Sequence, residues 1–350
     1  MRADLAPRWR FAAMLAGFVA LTALGLWWAA PDRAVVWRSW RELVALGAGP
    51  AALLAAIAAA VIAAEVYRLV VFGRVLGVPV GLRAAFDASM ANNLLSWISP
   101  GGALGEPAAV YVMSRRGVPV DAALAIAFAK FATSFALIMG VACALLLGGH
   151  GPAVPRWAVV SIAVTIGFGV VLVGSFVVGA LWPTAALRVL GRIERATARW
   201  GIVGRLAVRV AGVVRRSIDR LAGFRSAGVR GWLAITMSHV AYYGAYVGLL
   251  VALAHLFGAR SVLEVVPIAV VYQAFTYIAP APGIPEAGAA AFFGGLLPDG
   301  GAFVVVLLFR ALTAYAQIAL GLGYLAVAGM LPGILAHEPA PRSRPGTPPG

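Results

Sequence analysis

The sequence has few charged residues and a single cysteine, and both shortages narrow what the protein can be. Charged residues make up 12% of the 350-residue chain, whereas 62% of it is hydrophobic and the mean hydropathy is +0.92. A soluble protein could not cover so much apolar surface with so few charges. Because Cys143 is the only cysteine, an intrachain disulfide is excluded.

Motifs for metals and nucleotides are also missing from the sequence. The four histidines are scattered without the spacing of metal ligands, so no metal site is expected. No P-loop or other nucleotide motif occurs, and ATP is therefore not expected to drive the protein. We expect no cofactor.

Apolar runs without charges recur along the chain and predict an all-α polytopic membrane protein. A full membrane-spanning helix needs ~20 predominantly apolar residues. Six full transmembrane helices are predicted, at about residues 11–30, 50–72, 120–147, 157–182, 231–257 and 301–330. They would form a single transmembrane domain over residues 1–337. The proline-rich segment 338–350 is expected to be a disordered tail.

Two further apolar regions are broken by proline and glycine, and each piece is too short to cross the membrane. The breaks are at Pro100, Gly101 and Gly102 in region 84–111, and at Pro280, Pro282 and Gly283 in region 263–297. Broken backbone is tolerated at membrane depth only where protein buries it or water reaches it. We therefore predict two re-entrant helical hairpins, each entering and leaving on one side.

The chain resembles itself when it is shifted by 180 residues. The residues that then coincide include Pro100 with Pro280, Glu106 with Glu286, and Lys130 with Arg310. A proline, a carboxylate and a cation at one shared offset predict an internal repeat with units 50–147 and 231–330. Since each unit crosses twice and one span joins them, the repeats should be inverted, as in many secondary transporters.

Arginine dominates the net charge of +15. Eleven arginines lie between Arg188 and Arg230, so the basic segment 183–230 is predicted to lie in the cytoplasm. This assignment places both termini on the cytoplasmic side of the membrane and argues against nucleic acid as a partner. The arginines from Arg188 to Arg199 share one helical face, which predicts either a helix in the membrane interface or a solvated face.

Charged and amide side chains around the two breaks form the candidate substrate site. These residues are Glu106, Lys130, Glu286, Arg310, Asn92, Asn93 and Gln273. A charge inside the bilayer is costly and normally has a partner or a wet cavity. Lys130, the only lysine, and Arg310 suit an anionic headgroup such as a phosphate. The glutamates and cations either contact a headgroup or coupling ion, or form structural pairs within each repeat.

Three other polar residues lie in apolar runs and receive a structural interpretation first. Glu65 and Arg68 lie near one end of the span 50–72 and are interpreted first as an interfacial anchor and second as part of a site. His239, beside two tyrosines, is interpreted as an interhelical hydrogen-bonding residue rather than as a proton relay.

The residues around the breaks resemble the transmembrane region of lysylphosphatidylglycerol synthases and their flippase-like relatives. The matching residues are Asn92 and Asn93, Pro100 to Gly102 and Gly105-Glu106 at the first break, and Pro280 to Gly283 and Glu286 at the second. Ala109 and Ala129-Lys130 replace an arginine and a Glu-Arg pair that the family often has, so headgroup preference cannot be carried over. The soluble aminoacyl-transferring domain is missing, and lipid aminoacylation is not expected.

This resemblance implies a lipid or lipid-linked-sugar translocase of bacterial type, located in the bacterial inner membrane. The leading hypothesis is a flippase-like transporter that works by alternating access and is not an enzyme. Its partners would be membrane lipids with anionic headgroups, and a homo-oligomeric assembly stays open. One alternative is a non-transporting scaffold subunit of a lipid or glycan biosynthesis system, which would use segment 183–230 for docking. An intramembrane transferase is the third hypothesis.

Overall fold

The computed structural model is helical, without strands, throughout the part of the chain that it describes. The described residues are 47–330 without 100–101, 103, 150–155, 198–201, 279–287, 289–291 and 299, together with scattered positions between 13 and 45. The predicted tail 338–350 and much of the predicted first span, 11–30, lie outside this set.

The structure describes eleven α-helices in the part of the chain that it covers. They are α1 (Ala48–Val75), α2 (Leu82–Ile98), α3 (Gly105–Arg115), α4 (Val120–Leu147), α5 (Arg156–Leu181), α6 (Pro183–Thr197), α7 (Ile202–Leu221), α8 (Gly228–Leu256), α9 (Val262–Ile278), α10 (Gly301–Arg310) and α11 (Ala316–Val327). A 3₁₀ turn at Ala222–Ser226 connects α7 to α8. A π-helical turn at Ala311–Tyr315 joins α10 and α11 into one continuous helix.

Four of these helices are long and apolar enough to cross a membrane, namely α1, α4, α8 and the continuous helix Gly301–Val327. They confirm the predicted spans 50–72, 120–147, 231–257 and 301–330. The number rises to five when α5 and α6, which meet at a bend of 119°, are counted as one broken span. The bend lies at Trp182, whose helical conformation is disfavoured by Pro183.

The basic segment forms the two amphipathic helices α6 and α7. On α6, Arg188, Arg192 and Arg195 are exposed, whereas Leu190 on the other face is partly buried. Three arginines of the predicted face therefore lie on one helix, and Arg199 lies outside the described residues. Because of the bend at Trp182, the axis of α6 points away from the axis of α5.

Helices α2 and α3 pack against each other as a hairpin around the first predicted break. Gly102 in the connection has a φ of +66°, which glycine adopts without strain. A Cβ at Gly105 would collide with the side chains of Ser96 and Asn92, so glycine is required where α3 starts against α2. At ~25 Å and ~17 Å, α2 and α3 are each shorter than the ~30 Å hydrocarbon core.

Helix boundaries recur at the offset found in the sequence. Helix α8 starts 180 residues after α1, α9 starts 180 residues after α2, and α10 starts 181 residues after α4. Helices α1–α4 form a first set and helices α8–α11 a second set. The contacts between the two sets are reciprocal, because α2 packs against α11, α9 packs against α4, and α1 packs against α8. Helices of the two sets therefore pack against each other in reciprocal pairs.

Two apolar clusters fill the interior, and buried polar residues lie where one cluster gives way to the other. On α1, Val61 belongs to one cluster and Leu69 to the other, and Glu65 and Arg68 lie between these two residues. On α8 the same boundary contains the buried His239. The long helices thus bring polar groups together in one layer between two apolar cores.

Candidate functional site

A buried ionic network joins α1, α3 and α4. Lys130 Nζ on α4 lies 2.5 Å from Glu65 Oε1 on α1 and 3.0 Å from Glu106 Oε1 in the first turn of α3. Lys130 and Glu65 are each 3% exposed, whereas the Glu106 side chain is 27% exposed. Since an unpaired buried charge is strongly unfavourable, these pairs hold the start of α3 against the two long helices.

Arg68 extends the network from α1 toward α8. Its Nη1 lies 2.9 Å from Glu65 Oε2, and its Nη2 donates a hydrogen bond to the hydroxyl of Ser134 on α4. The guanidinium also lies over the ring of Tyr242, 4.1 Å from the centroid, in a cation–π contact. The two cations and two carboxylates of the network balance in formal charge.

His239 links α8 to α4 within the same layer. Its Nε2 lies 2.8 Å from Thr133 Oγ1, and its Nδ1 lies 3.3 Å from Ser134 Oγ. The interpretation of His239 as an interhelical hydrogen-bonding residue is confirmed.

The interpretation of Glu65 and Arg68 as an interfacial anchor is wrong. Both residues are 3% exposed and lie in the polar layer, where Glu65 is the partner that Lys130 approaches most closely. The available signal was their spacing, because opposite charges three residues apart share one face of a helix. The predicted contact between Glu106 and Lys130 is present, but Lys130 has two carboxylate partners instead of one.

Amide and hydroxyl groups of α2 complete the surroundings of Glu106. Asn92 Nδ2 lies 3.3 Å from Glu106 Oε1, and Ser96 donates to Asn92 Oδ1 at 2.8 Å. Glu106 Oε2 has no hydrogen-bond partner among the described residues. Asn93, the other predicted amide on α2, is partly buried and does not enter this arrangement within the described chain.

Arg310 lies against the tip of the first hairpin, although it belongs to the second set of helices. It is fully buried, and its guanidinium lies 4.5 Å from the centroid of the Trp97 ring. Trp97 Nε1 donates to Gln317 Oε1 at 3.0 Å, and Gln317 Nε2 donates to the Tyr246 hydroxyl at 3.4 Å. Sequence reasoning selected Arg310 but left its aromatic neighbour out of the site, although the offset of 180 residues aligns Trp97 with another aromatic residue, Tyr277.

The remaining predicted site residues divide into described and undescribed positions. Gln273 on α9 is buried, and Gly102 forms the turn between α2 and α3. Positions that lie outside the described residues are Pro100, Gly101, Pro280, Pro282, Gly283 and Glu286. The pair predicted between Glu286 and Arg310 therefore stays a prediction.

A second ionic cluster, which sequence reasoning missed, joins the base of the hairpin to α11. Asp87 on α2 is fully buried, forms an ion pair with Arg116 and accepts a hydrogen bond of 2.5 Å from the Tyr324 hydroxyl. Gly321 allows α11 to approach α2, since a Cβ there would lie 3.1 Å from the Met90 carbonyl oxygen. A lone aspartate inside an apolar helix was the only available signal.

Comparison with protein-family models supplies a match over most of the chain. Residues 14–321 match the model described as the lysylphosphatidylglycerol synthase TM region. The chain matches no curated protein and no solved structure. The matched range contains the Lys130 network, Arg310, Asp87 and Arg116, whereas Tyr324 lies beyond its end.

Proposed function

The chain belongs to the lysylphosphatidylglycerol synthase transmembrane-region family, and on this premise we propose that it is a flippase-like transporter. It moves a lipid or lipid-linked headgroup across the bacterial inner membrane by alternating access and performs no enzymatic step. The observation that carries the proposal is the shared pairing of Lys130. One partner, Glu65, is deeply buried, while the other, Glu106, is partly exposed at the hairpin tip.

In the proposed mechanism, a headgroup exchanges with one partner of Lys130. An anionic headgroup that reaches the tip replaces Glu106 at Nζ, while Glu65 keeps its contact of 2.5 Å. Release of Glu106 removes the ion pair that holds α3 against α4. Binding and hairpin position are thereby coupled, because the headgroup favours the arrangement in which Glu106 has moved away.

We propose an inverted repeat of units 50–147 and 231–330, with six full spans and two re-entrant hairpins, as the basis of alternating access. The common offset of the helix starts and the reciprocal packing of α2 on α11 and α9 on α4 support this arrangement. One connecting span, α5, reverses the orientation of the second unit. The arginine-rich helices α6 and α7 then lie in the cytoplasm together with both termini.

Lipid movement in reconstituted vesicles tests the transport proposal. The purified full chain is placed in vesicles that contain a fluorescent phosphatidylglycerol analogue, and a membrane-impermeant reductant destroys the label on the outer leaflet. We expect a larger fraction of label to be lost with the protein than in protein-free vesicles. A phosphatidylcholine analogue should move more slowly, since the proposed partners are lipids with anionic headgroups.

Substitution of the two buried cations that the sequence selected, Lys130 and Arg310, separates transport through this site from other leakage. We expect the combined change Lys130→Ala and Arg310→Ala to abolish lipid movement. Arg230→Ala, at an exposed position in the first turn of α8, is the control and should leave movement unchanged. Size-exclusion profiles establish that both variants are folded. Movement at the native rate in the folded double variant rules out the proposed site.

A scaffold subunit is the second candidate function, and the exposed arginines of α6 and α7 favour it. An acidic surface of a lipid or glycan enzyme could dock against them. If the native chain moves no lipid and deletion of residues 188–225 removes a co-purifying enzyme, the scaffold function is correct.

A further inference from the structure

An apolar groove lies between the helices α4 and α5 on one side and the amphipathic helices α6 and α7 on the other. Its volume is about 650 Å³, within the ~300–1,000 Å³ that is usual for ligand sites. Its walls include Phe128 of α4, Val178 of α5, Val189 and Ile193 of α6, and Ile218 of α7. None of the residues that line it belongs to the Lys130 network.

The hydroxyl groups in the groove offer no free donor to a polar ligand. Its two polar lining residues are Ser175 and Ser217. Ser175 donates to the Val171 carbonyl oxygen at 2.7 Å, and Ser217 lies 3.0 Å from the carbonyl oxygens of Asp121 and Val213. A polar ligand would lose its hydrogen bonds to water on entry, whereas a hydrocarbon chain loses none. The chemistry of the walls therefore selects a hydrocarbon chain.

The outer face of α6 and α7 is basic and would favour a ligand with an anionic headgroup. Arg192, Arg195 and Arg216 are exposed on it. Glu194 is already paired with Arg215 at 2.8 Å, which leaves Asp219 as the only other acidic residue on α6 and α7. The resulting excess of positive charge favours the anionic lipids of a cytoplasmic leaflet.

We propose that this groove binds an acyl chain of an anionic phospholipid, whose headgroup lies at the arginines of α6 and α7. The 119° bend between α5 and α6 places the apolar face of α6 over the groove. Arg225 holds the bend, because it donates to the main-chain oxygens of Ala180 and Leu181 at 3.0 and 2.5 Å. The site is distinct from the headgroup site at the hairpin tip, and the bound lipid anchors α6 and α7 to the membrane domain.

Gly174 allows the groove to be filled with little disturbance of the packing. It lines the groove, and a Cβ at this position would meet no atom within 4 Å. The change Gly174→Phe therefore puts a ring into space that the acyl chain would occupy. Gly140→Phe is the matched control, because Gly140 is an exposed helical glycine of α4 with equally open surroundings and does not line the groove.

Native mass spectrometry of the delipidated full chain, titrated with dioleoylphosphatidylglycerol or dioleoylphosphatidylcholine, measures the binding. We expect one tightly held phosphatidylglycerol, with affinity lowered about tenfold or more by Gly174→Phe and unchanged by Gly140→Phe. Replacing Arg192, Arg195 and Arg216 by glutamine should remove the preference for phosphatidylglycerol.

Two results would overturn this assignment. Equal affinity of the native and Gly174→Phe chains shows that the lipid lies elsewhere. Equal affinity of the native chain for the two lipids shows that the arginines do not select an anionic headgroup. If Gly174→Phe does not give a monodisperse protein, Gly174→Leu replaces it with the same expected direction.

Discussion

Lys130 connects three helices because its ammonium group is shared by two carboxylates that differ in burial. Glu65 is almost inaccessible and lies at 2.5 Å, while Glu106 is partly exposed and lies at 3.0 Å. Removing one partner of a buried ion pair typically costs ~3–5 kcal/mol, because the other charge stays buried without compensation. The same loss costs less where water can reach the remaining groups.

The two carboxylates should therefore differ in their effects on stability and transport. We expect Glu65→Gln to lower the free energy of unfolding by ~3 kcal/mol or more, since it also removes the ionic partner of Arg68. Glu106→Gln should cost ~1 kcal/mol and should mainly slow lipid movement. Thermal unfolding in detergent and the vesicle assay measure the two quantities. Equal destabilisation by both changes would contradict the distinction.

The hairpin α2–α3 is the element that both ionic clusters hold. Glu106 attaches its tip to α4, and Asp87, through Tyr324 and Arg116, attaches its base to α11 and to the end of α3. The position that corresponds to Asp87 in the second set is Pro267 on α9, which cannot form an ion pair. The base of the hairpin is therefore held to α11 by a contact that α9 cannot form with α4.

Breaking the Asp87 cluster should loosen the hairpin base without touching the Lys130 network. In a Cys143→Ser background, Ser89→Cys places a thiol at a fully buried position on α2. We expect Asp87→Asn to speed labelling of this thiol by a water-soluble maleimide about tenfold, because the charged partner of Arg116 is lost. Arg83→Gln, at an exposed position of the same helix, is the control and should leave labelling unchanged. Unchanged labelling in Asp87→Asn would argue against a closed base.

At the scale of the whole molecule, two sets of helices interlock around one polar layer. Their helices start at a common offset, and each set packs its α2 or α9 against the last helix of the other. Alternating access in such an arrangement requires relative movement of the two sets. The contact between α2 and α11 should therefore change during transport.

A cross-link between the two sets should stop lipid movement reversibly. A Cβ built at Gly321 on α11 lies 3.1 Å from Leu94 Cβ on α2, close to the Cβ separation of a disulfide after a small adjustment. In a Cys143→Ser chain, we expect oxidised Leu94→Cys/Gly321→Cys to move no lipid and reduction to restore movement. The reduced double variant and each oxidised single variant are the controls. Native transport by fully cross-linked protein would exclude movement at this contact.

Sequence by itself determined the features that depend on local composition and on register. Runs of apolar residues located α1, α4, α8 and the helix Gly301–Val327, because a span needs only length and low charge. Proline and glycine located the turn between α2 and α3. The offset of 180 residues selected Glu106 and Lys130 together, and they are in contact.

Only the tertiary structure decided which helix faces meet. The position of Glu65 and Arg68 near the end of an apolar run suggests an interface, whereas packing against α4 and α8 buries both residues. Asp87 with Tyr324 and Arg310 with Trp97 join residues far apart in the chain. Helical periodicity assigns a residue to a face of its own helix. The partner of that face depends on the packing of all the helices together.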